Sequence, residues 1–220
     1  MTKRTGAVAC AVWVLLLSSW LPAQVANQPH HPPESASAYI QALEDPGRDA
    51  WQKPQEVIEK LALKPGERVA DLGAGSGYFT VRFARAVGPA GKVFAVDIDG
   101  EMLAYVERRA REEQLANIQT ILAEPHDPKL PAASADLIFI CDTLHHISKR
   151  ADYYPLLARA LKPGGRLVDI DFEKRDLPLG PPLAMKIAKP EVVKEVEPAG
   201  FRLIQEFDFL KYQYFLVFQR

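Results

Sequence analysis

Three glycines alternate with small residues in the segment Gly73-Ala-Gly-Ser-Gly77, directly after a short apolar run that ends at Leu72. Because glycine has no side chain, this spacing lets the backbone turn tightly and approach a ligand closely. Dinucleotide-binding loops have the spacing G-x-G-x-x-G instead, and loops that hydrolyse nucleoside triphosphates end in Lys-Ser or Lys-Thr. The spacing therefore indicates a ligand-binding loop of another kind. The alternative is a tight turn with no ligand.

A carboxylate stands at the end of each of the first two apolar runs, Asp71 on the first and Asp97 on the second. A carboxylate in the position of Asp97 accepts hydrogen bonds from both hydroxyls of a ribose. The neighbouring Ile98 can pack on a flat base. Asp99 is the competing acid, but its position suits the N-cap of a helix that starts at Glu101. The alternative is that both strand-end acids are ordinary polar residues.

Two histidines follow the fourth apolar run, in the segment Asp142-Thr-Leu-His145-His146. An imidazole can take a proton from a hydroxyl or amine nucleophile at neutral pH. We therefore predict His145, His146 and Asp142 as catalytic residues. The alternative is that the two histidines only shape the loop and a substrate pocket.

Apolar runs with strand and helix periodicity alternate along the chain from about residue 54. Strands are predicted at 68–72, 92–96, 118–122, 137–141 and 166–172, and helices at 54–63, 78–87, 101–113 and 153–161. After a helix at 190–197, two strand-like runs are joined by only two residues, which permits antiparallel pairing alone. We therefore predict an α/β fold: a Rossmann-like, seven-stranded, mostly parallel sheet with helices on both faces and a C-terminal antiparallel hairpin.

The first 23 residues are typical of an export signal. Lys3 and Arg4 precede an uncharged, mostly apolar run over 6–20, and the segment 21–23 suits cleavage. No further Lys or Arg occurs before Arg48, so the rest of the chain is expected to cross the membrane. A retained membrane anchor of the same orientation is the alternative. Residues 24–50 are predicted to be a linker and N-terminal arm, and residues 51–220 the functional domain, exported to the periplasm or the medium.

Charge and cysteine content limit the partners of this domain. The chain has 27 Lys+Arg against 28 Asp+Glu, and basic stripes interleaved with aromatics are absent from the sequence, so no nucleic-acid partner is predicted. Loss of the leader would remove Cys10 and leave Cys141 as a single cysteine. No metal is predicted, because the pair His30-His31 is typical of a solvated linker.

These motifs together resemble those of the class I S-adenosylmethionine-dependent methyltransferases. The similarity is greatest to the small-molecule branch, which includes ubiquinone/menaquinone-biosynthesis and arsenite-methyltransferase-like enzymes. It covers about residues 51–220. It rests on the following features: DLGAGSG at 71–77, the ribose-binding acid at Asp97, the third-strand acid at Glu124, the fourth-strand motif at 134–147, the turn LKPGGR at 161–166, and the antiparallel last strand.

The resemblance implies S-adenosyl-L-methionine as the cofactor and in-line transfer of its methyl group to a small-molecule acceptor. It places Glu124 near the adenine, and Cys141 and Asp142 beside the methionine part of the cofactor. Arsenite as acceptor is disfavoured, because the family binds it through several cysteines. The predicted cofactor-binding residues are Asp71, Gly73, Ala74, Gly75, Gly77, Asp97, Ile98, Glu124 and Cys141.

Several alternatives remain at this point. The predicted export conflicts with the cytoplasmic origin of S-adenosylmethionine, so a non-catalytic exported nucleoside-binding protein on the same fold is the second hypothesis. An oxidoreductase using NAD is the third, and the glycine spacing disfavours it. Trp51 either belongs to a lid over the cofactor or anchors the first helix. The Pro-rich segment 178–185 either lines an acceptor pocket or is a stiff loop.

Overall fold

Strands and helices alternate through most of the computed structural model, which describes Thr2 and residues 35–220. The strands are β1 (Arg68–Leu72), β2 (Lys92–Asp97), β3 (Ile118–Leu122), β4 (Ala135–Cys141), β5 (Leu161–Phe172), β6 (Arg202–Phe207) and β7 (Gln213–Gln219). The α-helices are α1 (Ala36–Leu43), α2 (Arg48–Gln52), α3 (Pro54–Leu61), α4 (Thr80–Val87), α5 (Gly100–Glu112), α6 (Arg150–Ala160) and α7 (Lys189–Val196). Short 3-10 turns cover Leu144–His146 and Glu197–Ala199.

The seven strands form one sheet in the order β3-β2-β1-β4-β5-β7-β6. The first five strands in this order are parallel to one another, whereas β7 is antiparallel to both β5 and β6. The predicted fold class is therefore confirmed, including the C-terminal antiparallel pair. The strand order reverses between β1 and β4, and ligands bind to such sheets at the carboxyl ends of the strands beside that reversal.

Apolar side chains fill both faces of the sheet. Successive residues of β1 point to opposite faces, so Val69 packs into one core with Phe83 of α4, and Ala70 packs into the other core with Leu157 of α6. All four side chains are fully buried. A strand buried on both faces must be apolar throughout, which is why the predicted runs stand out in the sequence.

The first two helices, α1 and α2, lie against the glycine loop; they are called here the helical arm (residues 35–52). Glu44 of the arm accepts a hydrogen bond from the Ser76 hydroxyl at 2.6 Å and pairs with Arg109 of α5 at 2.8 Å. The Tyr78 hydroxyl donates a hydrogen bond to Asp49. These polar contacts fix the arm on the loop that follows β1.

The structure changes some predicted boundaries. Within the stretch predicted as linker and arm, the described residues form α1 and the start of α2, and Ser35 caps α1 by accepting a hydrogen bond from the Ala38 N–H at 3.2 Å. β5 starts at Leu161 rather than at Arg166, with a bulge in its pairing to β4. Apart from Thr2, the predicted leader lies outside the described residues. None of the helices in the described part of the chain has the length and apolar character needed to span a bilayer.

Candidate functional site

The loop after β1 is held across the sheet by the end of β2. The N–H groups of Gly73 and Ala74 donate hydrogen bonds to the Val96 carbonyl at 2.8 and 3.0 Å. Gly73 has a φ of +75°, which side-chain-bearing residues rarely adopt. A Cβ on Gly73 would stand 2.2 Å from the hydroxyl oxygen of Thr143. This glycine is therefore required by both its backbone angle and its close approach to the loop after β4.

We expect Gly73→Ala to lower the free energy of unfolding by about 2–5 kcal/mol. Alanine is strained in the left-handed conformation, and its methyl group would overlap Thr143; both effects destabilise the folded state. Thr143 cannot easily move, since its hydroxyl donates to the Cys141 carbonyl at 2.9 Å. Gly66→Ala is the matched control: Gly66 has a φ of +89° and nothing within 4 Å of an added Cβ. Urea unfolding checks the prediction, and equal losses in the two variants would contradict it.

Asp97 receives hydrogen bonds from two backbone N–H groups at the end of β2. Gly75 donates to its Oδ2 at 2.8 Å and Asp99 donates to its Oδ1 at 3.0 Å. Burial raises the pKa of Asp97, and these N–H groups oppose that change. Ile98 beside it is 62% exposed, an unusual exposure for an apolar residue. The predicted N-cap role of Asp99 is confirmed, because its carboxylate accepts from the Glu101 N–H at 2.8 Å.

Asp71 lies at the end of β1 and is almost fully buried. The Thr80 hydroxyl donates to its Oδ2 at 2.5 Å, which ties β1 to the start of α4. Burial raises the pKa of Asp71 to about 7, and the negative charge of Asp97 acts in the same direction. The Thr80 hydrogen bond and the positive charge of Arg48 oppose the rise.

This raised pKa predicts a specific pH dependence of stability. The folded carboxyl binds a proton more tightly than the unfolded one, so the free energy of unfolding falls as pH rises from about 4 to about 7. The slope from one such group is at most about 1.4 kcal/mol per pH unit. Asp71→Asn removes this titration. Unfolding in urea across that pH range should therefore show that the free energy of unfolding of the variant increases relative to that of the wild type as pH rises. A difference between the two that does not depend on pH would contradict the prediction.

Asp142 follows β4 in a left-handed conformation, with a φ of +53°. Non-glycine residues seldom hold this conformation, and in proteins it is concentrated at functional sites. Gln213 of β7 donates to its Oδ1 at 2.5 Å, and Nη2 of Arg48 lies 3.8 Å from its Oδ2. Burial raises the pKa of Asp142 to about 6, which leaves it mostly ionised at neutral pH. The thiol of Cys141 is buried beside it, and burial raises its pKa also.

His145 meets a carboxylate that the sequence analysis did not pair with it. Its Nδ1 lies 2.8 Å from Oδ1 and 2.9 Å from Oδ2 of Asp171, near the end of β5. Asp171 is further held by the Phe172 N–H, at 2.7 Å. An ionised carboxylate only accepts, so this contact places a proton on Nδ1 and makes Nε2 the basic nitrogen. The rings of His145 and His146 lie 4.3 Å apart.

One cavity of about 520 Å³ joins these groups at the carboxyl ends of the strands. Its wall carries five acidic side chains: Asp71, Asp97, Asp99, Glu124 and Asp142. Of the predicted site residues, those on the wall are Asp71, Gly73, Ala74, Gly75, Asp97, Ile98, Glu124, Cys141, Asp142, His145 and His146. Gly77 is not on the wall; a Cβ there would meet Val106 of α5 at 3.1 Å, so it serves packing. Glu124 lies at an exposed edge and pairs with Lys129 at 2.9 Å.

Sequence reasoning missed the contribution of the helical arm. Tyr39 and Arg48 both lie on the cavity wall. Trp51 lies there too and packs against Phe172 in a tilted arrangement, with ring centroids 5.7 Å apart, so it belongs to the wall. Gly180, within the Pro-rich insertion, also lines the cavity. The arm precedes the repeating strand–helix pattern and carries no motif, so no sequence pattern pointed to Tyr39 or Arg48, whereas Trp51 and the segment 178–185 were among the sequence candidates.

Comparison with known proteins identifies the class to which this fold and site belong. Residues 69–165 match the family model described as a methyltransferase domain. An S-adenosylmethionine-dependent methyltransferase from Aquifex aeolicus is 30% identical, with a TM-score of 0.79 over 84% of this chain and 98% of that one. The chain belongs to the S-adenosylmethionine-dependent methyltransferases, which confirms the resemblance found in the sequence.

Relatives of known role match a shorter stretch. The ubiquinone/menaquinone biosynthesis C-methyltransferase of Ectopseudomonas mendocina is 35% identical over 123 residues, or 56% of this chain and 48% of that protein. The chain thus spans about half the length of the curated relatives it matches. A methyltransferase from Mesorhizobium loti, 19% identical with a TM-score of 0.62 over 75% of this chain and 96% of that one, shares the fold.

Proposed function

We propose that this protein transfers the methyl group of S-adenosyl-L-methionine to a small-molecule acceptor. The observation that carries the proposal is one cavity lined by Asp97, Asp142 and His145 at the carboxyl ends of the strands, with His145 held from behind by the buried Asp171. When bound, the cofactor supplies a methyl group on a positively charged sulfonium sulfur, which a nucleophile can displace in line.

The residues present fit this cofactor. Asp97 can accept hydrogen bonds from the ribose hydroxyls of the cofactor, because its oxygens keep lone pairs beyond those used by the Gly75 and Asp99 N–H groups. Its adenine suits the apolar surface that Ile98 and Met102 contribute to the same wall. A wall with five carboxylates suits a ligand that carries a sulfonium and an ammonium group. A cavity of about 520 Å³ lies in the usual size range of small-molecule sites.

The remaining wall suits the acceptor. Trp51, Tyr153 and Phe172 supply aromatic surface, and Pro181 of the insertion extends it. These side chains can position a flat or apolar acceptor against His145. We assign His145 as the general base that takes the proton of the acceptor, and Asp171 as the residue that holds the imidazole in the required orientation and stabilises its charged form. Water exclusion by the aromatic wall strengthens this interaction.

Titration calorimetry and a methyl-transfer assay test the proposal. The purified protein is expected to bind S-adenosylhomocysteine with a dissociation constant of about 1–100 μM, one molecule per chain. Incubation with methyl-labelled cofactor and a small-molecule extract should yield a labelled low-molecular-weight product. Label transfer only to nucleic acid, or no binding, would contradict the proposal.

The predicted leader supports a second candidate, an exported nucleoside-binding protein without catalysis. Residues 3–20 combine two cations with an apolar run, and the cofactor is made in the cytoplasm. We propose that the domain works outside the cytoplasm or anchored at the membrane surface. N-terminal sequencing of the native protein tests cleavage. Binding of S-adenosylhomocysteine without label transfer to any extract would favour this candidate.

A further inference from the structure

Two buried glutamines, Gln52 at the end of α2 and Gln213 at the start of β7, are not among the residues that line the cavity. An amide is costly to bury unless its polar atoms find partners, and a methionine would fill the same space at less cost. We propose that Gln213, held in place by Gln52, is a positioning residue that keeps Asp142 of the cavity wall oriented and negatively charged toward a cationic group of the cofactor. This inference rests on the proposed function.

The topology of the sheet brings Gln213 to the site. β7 runs antiparallel to β5, so its first residue, Gln213, pairs with Phe172 at the carboxyl end of β5. Asp142 follows β4 at the same edge, where its N–H donates to the Ile170 carbonyl of β5 at 2.9 Å. A last strand parallel to β5 would begin at the opposite edge of the sheet. The antiparallel pairing therefore places the first side chain of β7 at the ligand-binding edge.

Four side chains form one directed series of hydrogen bonds. Nε and Nη2 of Arg48 approach Oε1 of Gln52 at 3.4 Å, and Nε2 of Gln52 donates to Oε1 of Gln213 at 2.8 Å. Nε2 of Gln213 then donates to Oδ1 of Asp142 at 2.5 Å. A guanidinium only donates and an ionised carboxylate only accepts, so the two ends of the series fix the orientation of both amides. Each bond in such a series polarises the next one.

This series acts on a residue that needs support. Asp142 has a φ of +53°, a conformation that the surrounding structure must impose on a side-chain-bearing residue. Burial raises the pKa of Asp142 to about 6, and the hydrogen bond from Gln213 opposes this rise. Other charged or titratable groups near Asp142 are Tyr39, Arg48, Cys141, His145, Asp169 and Asp171. Gln213 therefore favours the ionised form of a carboxylate that burial alone would protonate more readily.

The competing explanation is that the two amides only join α2 to β7. Asn117 offers a matched control, because its Nδ2 donates to the carbonyls of Ala84 and Gly88 at 2.8 and 2.9 Å. Asn117 stands directly before β3 and is not on the cavity wall. Asn117→Leu therefore removes two hydrogen bonds of a half-buried amide without changing the surroundings of Asp142.

The test is a double-mutant cycle on the affinity for S-adenosylhomocysteine, measured by calorimetry at about pH 7. Gln213→Met keeps the volume and removes the donor, and Asp142→Gly removes the carboxylate and keeps the left-handed backbone. Gln213→Met alone is expected to weaken binding about 5- to 50-fold. In the Asp142→Gly protein it should change the affinity by less than about twofold, because the residue through which it acts is gone. Asn117→Leu should also stay within about twofold of wild type.

The pH dependence of binding is a second readout. Removal of a donor that favours the ionised carboxylate raises the pKa of Asp142. The loss of affinity on acidification should therefore begin at a higher pH in Gln213→Met than in wild type, and Asp142→Gly should lack this part of the profile. The amine of the ligand stays charged between about pH 5 and pH 7, so it does not contribute to the difference.

Two results would overturn the inference while leaving the proposed function intact. Equal weakening by Gln213→Met with and without the Asp142 carboxylate would show that the glutamine acts on the fold in general. Unchanged affinity with an unchanged pH profile would remove Gln213 from the site. A wild type that does not bind the ligand would overturn the proposed function together with the inference. Thermal unfolding confirms that each variant is folded, and Gln52→Met carries the same cycle if Gln213→Met does not fold.

Discussion

Asp97→Ala is expected to weaken binding of S-adenosylhomocysteine at least about 100-fold, because each hydrogen bond to a charged group contributes about 1.5–3 kcal/mol. The substitution removes the acceptor proposed for the ribose hydroxyls. It also releases the Gly75 N–H, which donates to this carboxylate at 2.8 Å and so fixes the glycine loop. Titration calorimetry at one pH and salt concentration measures the effect.

Asp99→Ala is the control for this prediction. Asp99 is two residues away, is also a carboxylate, and lies on the same wall, but its side chain caps α5. Its loss should cost about 1 kcal/mol of stability with little change in affinity. Asp97→Asn keeps the shape of the side chain without its charge, so its affinity for S-adenosylhomocysteine should lie between the affinities of the two alanine variants. Affinity within about threefold of wild type for Asp97→Ala would remove this residue from the site.

His145→Ala is expected to lower the turnover number about 100- to 10,000-fold, the usual contribution of a positioned general base. Affinity for the cofactor should stay within about threefold, since the proposed role concerns the acceptor's proton. The imidazole is 1% exposed and its Nδ1 contacts both oxygens of Asp171. Label transfer with saturating cofactor and acceptor measures turnover, and calorimetry measures affinity.

Asp171→Asn separates positioning from general packing. An amide keeps the volume but no longer stabilises a charged imidazole, so turnover should fall. His126→Ala is the control, because His126 is exposed and is not on the cavity wall. Normal turnover in His145→Ala would leave orientation and proximity as the source of catalysis.

The sheet was predictable because its strands are buried on both faces and are therefore apolar throughout. Five runs gave the five parallel strands, although β5 starts earlier than predicted, and the short link before residue 212 gave the antiparallel pair, although the observed link covers residues 208–212. The glycine loop and Asp97 were predictable for another reason. The backbone must turn tightly where a strand ends, and this requirement restricts the residue types that can stand at that position. Asp99 was identified as a cap by the same logic of position.

The rest of the site depends on contacts between residues far apart in the sequence. Asp171 stands 26 positions after His145 in the sequence, and only the pairing of β4 with β5 brings it against that imidazole. Gln213 reaches Asp142 because β7 inserts between β5 and β6, an order that the hairpin alone does not determine. Arg48 lies on a five-residue helix, which is too short for hydrophobic periodicity in the sequence to reveal it.

The most direct test of the cofactor assignment is a crystal structure of the protein grown with S-adenosylhomocysteine. We expect the nucleoside in the described cavity, with its ribose hydroxyls on Asp97, its base against Ile98 and its amino-acid end beside Asp142. A cavity left empty under saturating ligand, or a nucleoside bound elsewhere on the chain, would contradict the proposal that this protein is a working methyltransferase.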